Sequence, residues 1–189
     1  MSENGSGLLK NLYLVYDSYG WGRSFVASGY TWASIAFTGL AWRKATEGNW
    51  AETALAVLPT LAGFSIAAYA VYFSVLAEAE RKALQAPDDT LGGRSPLLVL
   101  ASSVSHAVFV QVIAILLAIV FQAKPFPTLQ GFEQWARVTN NVLSFGGLFL
   151  TIYGITLILA SVFSIFRILH IKTGIENPAA PADEGRTDL

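Results

Sequence analysis

The chain has 189 residues, 53% of them apolar and only 13% charged, where an ordinary soluble domain carries about 25% charged residues. Its formal net charge of −1 offers no basic surface to nucleic acid. It has no cysteine, which excludes disulfides, thiolate metal sites, iron–sulfur clusters and thiol redox chemistry.

The charges cluster and leave long uncharged tracts. At ~20 residues per crossing of ~30 Å of hydrocarbon, these tracts predict four membrane helices, over about 24–42, 53–77, 97–121 and 143–166. The expected fold is therefore all-α: a four-helix transmembrane bundle over residues 24–172, with a short interfacial N-terminal helix. No basic segment, apolar core and small-residue cleavage site open the chain, so the first span is expected to serve as its own insertion signal.

In chain order, residues 1–23 begin with the polar tail "MSENGSG" and continue as "LLKNLYLVYDSYGWGR". Leu8, Leu9, Leu12, Val15 and Tyr16 recur there at helical spacing. The segment suits an amphipathic helix with Tyr13, Tyr16, Tyr19 and Trp21 at headgroup level, or else a short packing helix on the soluble side. Span 1 is rich in small residues. Span 2 contains Pro59, which predicts a kink, and its helical pattern runs on through "EAERKALQ" as a projection of roughly 10 Å. "APDDTLGGRSP" is turn chemistry, with Pro96 suited to a helix start. After span 3, Leu129, Phe132, Trp135 and Val138 suggest a short amphipathic piece lying at the surface. Span 4 can continue into "RILHIK", and residues 173–189 have the composition of a disordered tail.

Lys10, Arg23, Arg81, Lys82, Arg94, Arg167, Lys172 and Arg186 fall on one side of the spans, and Arg43, Lys44, Lys124 and Arg137 on the other. The excess places both termini in the cytoplasm, with Trp42, Trp50 and Trp135 as an outer aromatic belt.

Span 2 carries a line of small residues, Ala56, Thr60, Gly63, Ala67, Ala70, Ser74 and Ala77, in alternating steps of four and three. In lipid, helices gain nothing by hiding leucine from leucine-like tails, and small residues let backbones touch. Gly147, Thr151, Gly154 and Ser161 repeat the rhythm in span 4, as do Ser103, Ala107, Gln111, Ala114 and Ala118 in span 3. Such lines either close one bundle or mate with a second copy. Three of them in so small a chain favour a homo-oligomer.

No Asp, Glu, Lys or Arg lies well inside a span, which argues against ion-coupled transport. His106 is the ionisable exception, in span 3 with Ser102 and Ser103 one turn before it. It is either a histidine satisfied by a serine or carbonyl, or, with Ser103 and Gln111, part of a polar lining. His106 and Gln111 stand about 140° apart on an ideal helix, so they do not form one site by themselves. The other histidine, His170, lies at the end of span 4, which makes an intramolecular bis-histidine haem improbable. No serine stands in a Gly-x-Ser-x-Gly context, no phosphate loop appears, and neither enzymatic activity nor a cofactor or metal is expected.

The stretch "LPTLAGFSIAAYAVYFSVL" followed by "AEAERKAL" sets a proline and a Gly-Phe pair before a small-and-aromatic run. It resembles the second span of small four-span bacterial membrane proteins, some of them membrane subunits of anti-phage systems. The resemblance implies a multi-pass protein of the bacterial inner membrane that acts with partners, in phage defence among other roles. It transfers no catalytic residue.

The function expected from these features is an oligomeric pore-like or membrane-perturbing component with a cytoplasmic protein partner at Glu78, Glu80, Arg81 and Lys82. The alternative is a non-conducting scaffold or sensor that recruits a soluble effector.

Overall fold

The computed structural model describes residues 27–123 and 133–176, together with Gly7, Lys10 and Tyr13, with side chains placed as far as Phe166. Among these residues the chain is helical and has no strand. Its elements are α1 (Gly29–Leu40), α2 (Trp42–Thr46), α3 (Trp50–Val75), α4 (Glu78–Gln85), α5 (Pro96–Gln122) and α6 (Glu133–Glu176). Three stretches, Trp50–Ser74, Pro96–Gln122 and Gln134–Phe166, are long and apolar enough to cross a membrane. The expected interfacial helix lies outside the described residues apart from Gly7, Lys10 and Tyr13, as do Leu129, Phe132 and the last residues of the tail.

The structure departs from the sequence reading at four places. The first expected span contributes the 12 residues of α1, a rise of about 18 Å that falls short of the hydrocarbon thickness. Ser28 before it is extended (ψ 124°) and Ala41 after it leaves the helical region (ψ 18°). Second, α3 does not run on into "EAERKALQ". Leu76 (ψ 123°) and Ala77 (ψ 155°) are extended, and the Ala77 N–H donates to Glu80 Oε2 at 3.0 Å to start a new helix. The break has a clear gain: Leu84, 2% exposed, packs back onto α5 with Tyr72, Leu100 and Val104. A continuous helix would carry that leucine into water, at a cost of about 1.5–3 kcal/mol.

Third, Trp135 and Val138 do not belong to a separate surface piece. They sit in the first turns of α6, a helix of 44 residues and about 66 Å, because no proline or glycine interrupts the run from Glu133 to Phe145. Fourth, Trp50 is no belt residue. It is 1% exposed, whereas Trp42 and Trp135 are 50% and 73% exposed.

The expected turn forms as read. Gly92 and Gly93 adopt φ 68° and 76°, the Asp88 N–H donates to Arg94 O, and the Gly93 N–H donates to Asp88 O. Such φ values suit glycine, which lacks the Cβ that crowds other residues there. Ser95 then caps α5, its Oγ accepting from the Leu98 N–H at 3.1 Å, with Pro96 in the first turn.

α3, α5 and α6 pack on one another, α1 and α2 lie on α6, and α4 lies on α5. At the end where α3 begins, Ala51, Ala54, Leu58, Ala114 and Ala118 are almost wholly buried beneath Trp50 and Leu148. α2 is tied there by Ser144, whose Oγ donates to Ala45 O at 2.6 Å. Trp50 lies so close over Gly147 that a Cβ on that glycine would fall within the indole.

Gly147→Ala should therefore destabilise the fold by about 1–3 kcal/mol, the range for overpacking. Gly146→Ala, where a Cβ meets nothing within 4 Å, should be neutral or stabilising by up to about 1 kcal/mol through helix propensity. Denaturant unfolding of the two variants in one detergent compares them directly. Equal stabilities would show that the Trp50 contact does not exist in solution.

Candidate functional site

The interior of this bundle is unusually rich in polar groups. Thr31, Ser34, Thr38, Ser65, Ser102, Ser103, His106, Gln111, Ser144, Thr151 and Ser161 are all buried. On the outside, Trp32, Leu40, Phe64, Val142 and Phe166 are 60–79% exposed. α1 makes the inversion plain: its buried residues are Thr31, Ser34 and Thr38, and its bulky apolar ones face outward. A helix so arranged loses in water and gains in lipid, where an exposed apolar side chain costs nothing and a polar one needs a protein partner.

Most of the hydroxyls are satisfied within their own helix. Thr38 donates to Ser34 O, Ser65 to Leu61 O, Thr151 to Gly147 O and Ser161 to Leu157 O, each four residues back. Ser102 lies within hydrogen-bonding distance of both Leu98 O and Val99 O, so it serves its own helix. Besides the Ser144 bond to Ala45 O, three further polar bonds between described residues join helices. Ser34 Oγ and Thr156 Oγ1, on α1 and α6, stand 2.8 Å apart. Each also reaches a local carbonyl, Tyr30 O or Tyr153 O, so whichever hydroxyl bonds across the gap, the other can use its own helix.

The second bond involves His106. Its Nε2 lies 3.2 Å from Tyr153 Oη on α6, with the direction of donation set by the imidazole tautomer. The two rings meet edge to face at 6.0 Å, and Phe149 stacks on Tyr153 with 5.7 Å between centroids and 5° between planes. The third bond runs from Gln111 Nε2 to Gly154 O at 2.9 Å. Gly154 makes room for it, since a Cβ there would stand 3.1 Å from Gln111 Cγ and 3.6 Å from Leu58. Gln111 Oε1 and Thr31 Oγ1 are buried with no hydrogen-bond partner among the described residues. An orphaned acceptor of this kind costs about 1–3 kcal/mol.

Of the residues singled out for a polar lining, Ser103, His106 and Gln111 are all buried, and the polar heads of the last two bond to α6 within the chain. α6 thus receives both, through adjacent residues 153 and 154, despite their separation around α5.

Of the packing residues, Gly147, Thr151 and Gly154 are buried inside the bundle, as are Ser103, Ala107, Gln111, Ala114 and Ala118 on α5. Ala56, Thr60, Gly63, Ala67, Ala70 and Ser74 on α3 are every one exposed. The face of α3 that packs is another line, Ala51, Ala54, Leu58, Ala62 and Ser65. Glu78, Arg81 and Lys82 are exposed at the surface of α4, with Glu78 and Lys82 paired at 3.0 Å, while Glu80 is half-buried at the helix start.

Sequence reasoning missed Tyr153, the buried place of Trp50 and the hydroxyl face of α1. The last had a signal: Thr31, Ser34 and Thr38 recur at helical spacing, opposite Trp32, Phe37 and Leu40.

A double-mutant cycle on His106→Leu and Tyr153→Phe should return a coupling of about 0.5–2 kcal/mol in unfolding, the span measured for hydrogen bonds between membrane helices. Strict additivity would place the two groups apart in the folded protein. No family model, curated protein or solved structure matches the chain.

Proposed function

We propose that this chain is a multi-pass membrane protein that self-associates along the exposed small-residue face of α3. In this proposal it works as a non-conducting scaffold that presents α4 and the 86–95 turn to a soluble partner. Arg81, Lys82 and Arg94 place α4 and the 86–95 turn in the cytoplasm, α5 and α6 cross out and back so that the end of α6 lies on the same side, and the membrane is a bacterial inner membrane.

One observation carries the proposal. The lean faces of α5 and α6 are used up inside the bundle, while Ala56, Thr60, Gly63, Ala67, Ala70 and Ser74 face out. In hydrocarbon such a face has little to offer lipid tails and much to offer another backbone, because van der Waals contact grows as helices approach. The spacing of four and three residues suits a left-handed crossing of about 20°.

A pore is less well supported. His106 and Gln111, the residues most suited to line one, bond to Tyr153 and Gly154 of the same chain. A conducting path would have to run between copies. On the cytoplasmic side, Arg81 and Lys82 stand exposed on α4, and the Leu84 anchor fixes that helix against α5. That gives a soluble partner a charged platform.

The test is the native mass in detergent, corrected for bound detergent, of the wild type and of the Gly63→Leu/Ala70→Leu double variant. The wild type should exceed one chain and the variant should fall toward one. Monomer stability should change by no more than about 0.5 kcal/mol, because both sites are exposed and no atom lies within 4 Å of a Cβ at Gly63. A wild type already at one chain's mass overturns self-association. Single-channel currents that His106→Leu alters would overturn the scaffold in favour of a pore.

A further inference from the structure

α3 is held very differently on the two sides of Pro59. Before the proline, Trp50, Ala51, Ala54 and Leu58 are 0–1% exposed in the main core. After it, Ala62, Ser65 and Tyr72, at 7–8%, are the only described side chains that are buried, and most of the others face outward. Pro59 lacks the N–H that would bond the Leu55 carbonyl, and its ring crowds that carbonyl, so the helix is weakest where its packing changes. A second joint follows at Leu76 and Ala77, where both residues are extended. Beyond it, α4 and the end of α3 share a single cluster with α5, formed by Tyr72, Leu84, Leu100 and Val104.

We infer that residues 59–75 and α4 form an arm that hinges at Pro59 and is held closed by the Tyr72–Leu84–Leu100–Val104 cluster. When the arm opens, Tyr72 and Leu84 leave α5, and α4 moves at the membrane surface while the half of α3 before Pro59 stays in the core. The device gives the platform on α4 two positions. It does so whether or not copies associate, since it rests on the burial step at Pro59 and on the latch.

The native chain has no cysteine, so pairs of introduced cysteines can carry spin labels without background. One pair, Val71→Cys with Phe163→Cys, reports the arm against α6 from positions that are 61% and 58% exposed. A second, Glu52→Cys with Gly146→Cys, reports the fixed half of α3 from exposed positions, with open space for a Cβ at Gly146. Labelled chains are diluted with unlabelled chains in lipid nanodiscs, so that distances within one chain are read.

The arm pair should show a second, longer population that the control pair lacks. Leu84→Ala, which trims the latch, should shift weight into it, and Pro59→Ala should remove it. An arm pair as narrow as the control in the wild type and in Leu84→Ala overturns the hinge, and so does a long population that survives Pro59→Ala. Should Leu84→Ala unfold the chain, the control pair will report it and the Pro59→Ala comparison decides. Native mass taken on the same samples shows separately whether self-association has failed.

Discussion

Hydrocarbon supplies no water to complete a broken hydrogen bond, and the described part of this protein is built around that demand. Helices satisfy backbone groups locally, so the long segments are helices; the two adjacent extended residues, Leu76 and Ala77, come where α3 ends and charged sequence begins. The same demand sorts the side chains. Most of the buried hydroxyls bond one turn back, while Trp32, Leu40, Phe64 and Phe166 turn outward. A soluble bundle with Thr31, Ser34 and Thr38 as the buried face of a helix would give up most of its driving force. Here Ser34 and Thr38 cost little, because their hydroxyls find partners on α1 or α6, and the small size of all three residues lets the two helices approach; Thr31 Oγ1 alone of the three has no partner among the described residues.

Once the hydrophobic drive between helices is gone, contact distance becomes the main source of cohesion, and the tightest places explain the architecture. Ala51, Ala54, Ala114 and Ala118 let α3 and α5 meet closely. Gly147 admits the flat indole of Trp50, and Gly154 admits the Gln111 amide. Each large group is paired with an absence of side chain opposite it. That pairing fixes register: sliding α6 by one residue would put Leu148 under the indole and Ile155 against the amide.

How far the sequence could be read follows from the same physics. The long apolar tracts, the turn at Gly92 and Gly93 and the start at Pro96 were legible because each depends on local composition. The choice of packing face on α3 was not. Its residues include two lean lines, one through Ala54, Leu58 and Ser65 and another through Gly63, Ala67 and Ala70, and small residues alone do not say which line meets α5. A single bulky residue decides, since Leu58 fills the junction beside Gly154 and Gln111. The break at Leu76 was hidden for a similar reason. "EAERKAL" continues the helical pattern, and only the tertiary fit of Leu84 to Leu100 and Val104 makes a fold-back preferable. Tyr153 stayed unnoticed because a tyrosine among aliphatic residues says nothing until His106 stands opposite it.

The buried polar groups also bear on whether such a bundle conducts. An ion or water file needs side chains free to turn toward it, and each turn must be cheaper than the bond it breaks. Within one chain, swinging Gln111 outward would leave Gly154 without its amide partner and open a void beside Leu58; swinging His106 outward would break its bond to Tyr153 and its edge-to-face contact with that ring. Bonds between membrane helices are individually weak, around 0.6 kcal/mol on average, so the void is the heavier term, at roughly 24 cal/mol per Å3 of cavity left behind. The packing that holds these two groups is also what keeps α5 and α6 in register. Stiffness of that kind gives the rest of the bundle a fixed base.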